Sequence, residues 1–275
     1  MTCTTRTGQW IRTAAGVVIV AVLLFPFYWM INASLQPSGS LLKPEPDWLP
    51  VDGTLAGYEK ALSTQGGPLL DSLIVAGGTV AVSLLIAMPA SYALAQLRFR
   101  GAQTIIFVLL IVQMIPGIVM ANSLYAVFSS LALIDDYVGL ILADSTATIP
   151  FAILVVRAFM LSIPRELSEA ARVDGASYWR TFISIIVPVS RNAMVTAGLF
   201  SFLFAWADFL FAVTLTTGRS IEPITVGIYR FIGNQSADWN AVLATAVLAS
   251  VPAAILLVIA QRYVVAGVTG GAIKE

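Results

Sequence analysis

The sequence has no histidine, a single cysteine and only 11% charged residues. Without histidine, an imidazole-based metal site or acid–base pair has no residues to build it. One cysteine, Cys3, excludes an internal disulfide and a thiolate cluster for zinc or iron–sulfur. Basic and acidic residues balance at 15 each, so no single-sign field favours nucleic acid. The pattern G-x-x-x-x-G-K-[ST] is absent, and the chain is not expected to bind or hydrolyse ATP itself.

What remains is apolar. Hydrophobic residues are 58% of the 275 residues, against about 45–50% in soluble domains, which have about 25% charged residues. Six apolar runs are long enough to cross a hydrocarbon core, which takes about 20 helical residues. They fall at residues 14–35, 72–95, 104–128, 138–161, 192–215 and 241–264. Inside a bilayer each backbone group must be satisfied within its own segment, so the runs predict helices. No alternating ten-residue pattern suggests a barrel. The expected fold class is an all-α integral membrane protein with six transmembrane helices.

Arginine and lysine set the orientation. Arg6, Arg12, Arg98, Arg100, Arg165, Arg172, Arg180, Arg191, Arg262 and Lys274 flank one set of ends, whereas the alternate loops hold Lys43, Lys60, Arg219 and Arg230. Those alternate loops also carry Glu45, Asp47, Asp52, Glu59, Asp135, Asp136, Glu222 and Asp238. Both termini and the loop at 162–187 are therefore expected in the cytoplasm. The first run is too long for a secretory leader and reads as a retained signal anchor. Residues 36–68, rich in proline and acid, read as an extended outer surface loop anchored by Trp48. The expected organisation is an anchor and outer loop at 1–68, a five-helix core at 69–265 and a cytoplasmic tail at 266–275.

The loop at 162–187 carries the most specific pattern. Glu169-Ala170-Ala171 is followed by Asp174-Gly175-Ala176 and then by Ile185-Ile186-Val187-Pro188. Pro164 suits the first position of a helix, and Glu166 places a carboxylate at its positive end. Arg165 and Glu169, four apart, read as a solvent-side ion pair. Gly175 permits a left-handed backbone that ends this helix, and Asp174 can cap the next, at 176–186. An amphipathic helix lying in the headgroups is the alternative, but the face is alanine-rich and lacks the large apolar residues such helices bury.

This spacing resembles the cytoplasmic coupling motif of bacterial ABC importer permeases. Further cues are Ser91-Tyr92-Ala93-Leu94-Ala95, Met114-Ile115-Pro116, Ile163-Pro164-x-Glu166-Leu167 and Gln261-Arg262-Tyr263 with Gly267, Gly271 and Lys274. Together they are similar to the carbohydrate branch, in particular the shorter permease subunit of maltose-type systems. The resemblance implies the type I importer permease fold in the bacterial cytoplasmic membrane. It implies a second permease subunit, an ATPase dimer that binds the ATP and Mg, and an extracytoplasmic solute-binding protein. Glu169, Ala170, Ala171, Asp174, Gly175, Ala176 and Pro188 would couple to that ATPase. The implied solute is a sugar or sugar-like compound; a glycerophosphodiester or polyamine importer and a secondary transporter are the alternatives. A membrane enzyme and an assembly scaffold rank below these.

Ionisable groups inside spans are default functional candidates. Asp208 lies roughly 24 Å along its helix from Asn192, in the outer half and near Trp206. Asp208 and Trp206 line a solute path or gate, or Asp208 merely reaches the headgroups beside an aromatic belt to which Trp206 belongs. Gln113 and Asn122 are further path candidates, or partners for a neighbouring helix. Arg157 is expected to snorkel inward, Asp71 and Asp144 outward. Residues 216–240 can fold over the pathway or simply connect, and the tail at 267–275 enters the ATPase interface or frays.

Overall fold

The structure is a computed structural model that describes residues 6–39, 41, 43, 47–50, 52–97, 99–218, 220–234 and 238–272. Expectations placed on Cys3, Pro44, Glu45, Pro46, Arg98, Arg219, Gln235 and Lys274 lie outside these residues, as do the side chains of Arg6 and residues 264–272. The described elements are helices α1 (Arg6–Ser34), α2 (Ala56–Gln96), α3 (Ala102–Val112), α4 (Gly117–Ser130), α5 (Tyr137–Met160) and α6 (Arg165–Val173). After these come α7 (Tyr178–Thr181), a π-helical turn (Phe182–Ile186), α8 (Val187–Val189), α9 (Arg191–Ala207), α10 (Leu210–Leu215), α11 (Ile224–Asn234) and α12 (Trp239–Ala272). By length and apolarity α1, α2, α5 and α12 can each cross a membrane, and two bent helix pairs bring the total to as many as six.

Contacts divide the chain into two units, residues 1–66 with 228–250, and residues 67–227 with 251–275. In the first unit, α1 ends against the segment before α2. Asn32 and Gln36 donate their amides to the Asp47 carbonyl at 2.9 and 2.8 Å, and Tyr28 donates to the Trp48 carbonyl. Trp48 packs on Phe25 and Trp29, ring centroids 6.3 and 5.7 Å apart, which makes it the expected anchor. Gly57 is needed here because a Cβ would meet the carbonyls of Asn240 at 3.2 Å and Ser34 at 3.3 Å. The expectation of an extended loop to residue 68 is corrected: the helix already begins at Ala56. Composition weighted the prolines at 44, 46 and 50, but Ala56 to Gln65 has no proline, its one glycine, Gly57, stands at the helix start, and its inner face is buried at Ala61 and Gln65.

Lys60 on α2 pairs with Asp238 at 2.5 Å, side chains 37% and 21% exposed. The hydrogen bond from Lys60 holds the Asp238 carboxyl below its ordinary value, against a smaller opposing effect of burial. A carboxyl lowered in the folded state adds stability that is complete above its unfolded pKa of about 4 and is lost as pH falls through the folded value. Asp238→Asn should therefore cost under about 1 kcal/mol at neutral pH. Thermal unfolding of wild type and variant should converge as the pH is lowered below about 4. A gap that stays constant across that range would exclude the pair as its source.

The second unit is organised by α2 and α5. Tyr137 donates to the Asp71 carboxylate at 2.6 Å, Ser83 and Thr148 share a hydrogen bond of 2.7 Å, Ser91 donates to the Ile153 carbonyl at 2.9 Å and Gln96 to that of Met160 at 2.8 Å. These pairs keep sequence separations between 62 and 66, so the helices run parallel and in register over the length of a membrane crossing. Gly78 permits the close approach, since a Cβ there would strike Ile141. An inner cluster of Met88, Tyr92, Ile153, Val156, Met160, Phe182 and Ile186 fills one end, and Val75, Phe128, Leu140, Phe211, Leu215 and Val226 fill the other.

Two expected spans are not continuous helices. The third, read as 104–128, is α3 and α4, bent by 97°. Pro116 has no N–H and its ring clashes with the carbonyl four residues back, so the helix stops at Val112 and restarts at Gly117. The fifth, read as 192–215, breaks at Asp208 and Phe209 between α9 and α10. Asp208 has extended backbone, φ −65° and ψ 128°, and its carboxylate accepts from the amides of Phe211 at 3.3 Å and Ala212 at 2.9 Å. The side chain thus caps a new helix instead of continuing the old one. The segment at 216–240 contains α11, and α12 continues as helix to Ala272 through most of the tail.

Candidate functional site: the cytoplasmic corner and the paired helix breaks

The corner expected in the cytoplasm starts at Pro164, which has extended backbone (φ −56°, ψ 133°) and stands just before α6 instead of at its first turn. Glu166 sits in the first turn and Arg172 in the last, each complementing the helix dipole. Gly175 adopts φ +83°. Its N–H bonds the Arg172 carbonyl at 3.0 Å and the Ala176 N–H bonds that of Ala171 at 2.9 Å, the paired bonds of a Schellman end. Asp174 closes α6, so it does not cap the following helix as expected; Ser177 does, accepting from the Arg180 amide at 3.2 Å. Of the residues expected to couple, Ala171 alone is buried, at 7% exposure, and its carbonyl accepts the Ala176 N–H that closes the glycine turn.

Glu169, Ala170, Asp174 and Gly175 are exposed, Ala176 is half-buried and Pro188 exposed. The expected ion pair of Arg165 with Glu169 is not formed among the described residues. Arg172 instead lies 4.4 Å over the Tyr178 ring. A polar cavity of about 430 Å³ separates this corner from the end of α2, lined by Tyr92, Gln96, Arg165, Ser168, Glu169 and Arg172. The corner is tied to α2 through Phe182, whose ring lies 5.4 Å from both Tyr92 and Trp179. Pro188 cannot donate a backbone hydrogen bond, and the π-helical turn directly precedes it. A bend of 76° then separates residues 178–189 from α9.

Replacing Gly175 by valine puts a β-branched residue at φ +83°, which costs about 1–2 kcal/mol. The expected result is faster limited proteolysis between residues 164 and 188 while the membrane helices keep their circular-dichroism spectrum. An unaltered cleavage rate would show that the turn does not depend on glycine.

At the other end of the unit the two helix breaks adjoin. A Cβ on Gly117, the first residue of α4, would lie 3.2 Å from Leu210, the first residue of α10. Thr225 donates to the Asp208 carbonyl at 2.6 Å, fixing the break. Gln113 stands exposed where α3 ends, and Asn122 is exposed on α4. Trp206 is not part of an aromatic belt: it is 7% exposed and stacked on Phe202, centroids 5.4 Å and planes 14° apart.

Asp144 is corrected most. It does not reach the headgroups but is 4% exposed on α5, with Oδ2 lacking a hydrogen-bond partner and Asp208 within electrostatic range. Asp71 is not free at the surface either, accepting from Tyr137 and from the Glu222 amide at 2.8 Å. Sequence reading also passed over Phe200 and Phe204, whose four-residue spacing places them on one face of α9, where both contact Phe151 at 5.4 and 5.9 Å.

Broken helices meeting within a membrane unit are a recurring feature of membrane-transport proteins. Residues 70–270 match the family described as "Binding-protein-dependent transport system inner membrane component", and the chain belongs to that family. It is a multi-pass membrane permease. It is 31% identical to the diacetylchitobiose uptake system permease protein DasC of Streptomyces coelicolor, over 94% of this chain and 95% of the relative. It is 32% identical to the sulfoquinovosyl glycerol transport system permease protein SmoH of Agrobacterium fabrum, over 97% and 94%. Identity to the trehalose transport system permease protein SugB of Mycobacterium tuberculosis is 30%, over 94% of both. A crystal structure of a bacterial ABC transporter involved in import of the acidic polysaccharide alginate shares the fold, with a TM-score of 0.80, 20% identity and coverage of 96% and 99%.

Proposed function

We propose that this chain is one of two permease subunits of an ATP-driven importer for a sugar or sugar-like solute. An extracytoplasmic binding protein delivers the solute, and the chain itself is non-catalytic. ATP and Mg bind on a separate ATPase dimer, which grips the corner at 169–175. The single observation that carries this reading is that corner: a helix ended by a glycine in left-handed backbone, with Glu169, Ala170 and Asp174 held outward on a rigid turn. Closure of the ATPase dimer moves it as a body, and the turn through Phe182 to Tyr92 passes the displacement to α2. Asp208, Gln113 and Asn122, at or beside the helix breaks, line the solute path, while Trp206 supports it from within the core.

The solute class draws on the relatives, which are named for diacetylchitobiose, trehalose and sulfoquinovosyl glycerol. The test is ATP turnover of the reconstituted complex in liposomes with its binding protein and a panel including diacetylchitobiose and trehalose. Stimulation by one sugar is expected. Stimulation only by a glycerophosphodiester or a polyamine would overturn the sugar reading and leave an importer for another solute. Solute flux without any dependence on ATP would overturn the importer itself.

A further inference from the structure

At the break between α9 and α10 the surface holds a cavity of about 640 Å³ walled by Phe200, Leu203, Phe204, Ala207, Asp208, Phe209 and Leu210. Its wall is apolar apart from a single carboxylate. Three aromatic rings stand beside one carboxylate, and no lining residue is cationic. Phe204 is 53% exposed and Phe209 40%, so ring surface is available, while Phe151 behind Phe200 and Phe204 fixes the rings in place.

The carboxylate is also fixed. The amides of Leu210, Phe211 and Ala212 at the start of α10 bond the Asp208 carboxylate, whose two oxygens offer about four acceptor sites in all. Water or a solute hydroxyl would meet the remaining capacity, which hydrocarbon cannot. A ring compound with apolar C–H faces and a rim of hydroxyls fits this wall on both counts: the phenyl rings cover its faces and Asp208 accepts from a hydroxyl. A negatively charged solute meets the Asp208 carboxylate with no cation in the wall to balance it.

We propose that this cavity is a solute subsite contributed by this chain, and that it admits uncharged polyhydroxylated rings and turns away anionic ones. The class of ring rests on the sugar-importer reading above; the location and the charge bias do not.

The experiment uses the assembled complex with Cys3→Ser in this chain and either Phe204→Cys or Ala207→Cys. Ala207 is exposed and small, so one variant preserves the aromatic wall if the other fails to assemble. Cationic trimethylammonium-ethyl and anionic sulfonatoethyl methanethiosulfonates are compared, with modification read by mass on this chain. Both thiols should be modified, the cationic reagent reacting about tenfold faster. Adding Asp208→Asn, which keeps an oxygen for the α10 amides, should bring the ratio towards one. Thiols inert to both reagents with and without ATP would place this face against lipid or the partner permease and overturn the subsite. Equal rates for the two reagents would overturn the charge selection. Trehalose or diacetylchitobiose, whichever stimulates turnover, should slow the modification. If spermidine slows it and neither sugar does, the sugar reading falls while the cavity remains the path.

Discussion

Glu169→Arg is expected to abolish solute-stimulated ATP turnover, at least about 100-fold, while the permease complex still assembles in the membrane. The expectation follows from what Glu169 does not do. It is exposed on a nine-residue helix and makes no ion pair with Arg165, so the fold gains little from it. Its carboxylate is available to a partner. A single charge reversal at a partly desolvated contact leaves two like charges facing each other, a loss of roughly 2–5 kcal/mol. Effects on the helices themselves should be slight, because Glu169 packs against none of the inner cluster. The measurement is turnover with and without loaded binding protein, beside size-exclusion profiles of both complexes. Full stimulation in the variant would show that this residue does not contact the ATPase.

Gly139→Ala is expected to be the most damaging single methyl group in the second unit. Gly139 is buried in the first turn of α5, and a Cβ there would overlap the Leu133 carbonyl. The obstacle is backbone, and it is held: Leu133 donates to the Phe128 carbonyl at 2.9 Å, and Ala132 and Asp135 on either side take positive φ of 55° and 58°. Asp135 further clasps the Gly218 amide at 2.7 Å and the Ser220 hydroxyl at 2.8 Å. The loop cannot retreat without breaking these bonds, and a cost of about 3 kcal/mol is expected. Thermal unfolding in detergent should shift downward by several degrees. A shift no larger than that of an exposed glycine such as Gly77→Ala would show that the corner yields.

Much of this was legible in the sequence, for a physical reason. A hydrocarbon core demands about 20 apolar residues and internally bonded backbone, so apolar runs had to be membrane helices. Gly175 was legible for the same kind of reason, since a positive φ at a helix end selects glycine. Continuity of each helix was not legible. Apolarity is a property of composition, and the 104–128 run is as apolar on both sides of Pro116 as an unbroken helix would be. The break at Asp208 was hidden because one aspartate can snorkel, line a path or cap a helix, and only the amides of Phe211 and Ala212 choose among these.

Asp144 and Trp206 show the same limit from the other side. Asp144 reads as a surface residue, and Trp206 as either a path residue or part of an aromatic belt, because polar and amphipathic residues near span ends usually go to the interface. Their neighbours placed them inside: α2 and α5 run in register for the length of the unit, and Phe202 covers the indole. By itself the sequence determined membrane class, the number of apolar runs and the glycine-ended corner, because these depend on chain length, solvent and single-residue backbone preference. Tertiary structure alone decided where the helices break, that the two breaks meet at Gly117 and Leu210, and which carboxylate faces the cavity beside the phenyl rings. Such meetings depend on packing between residues far apart in the chain, which no local pattern encodes.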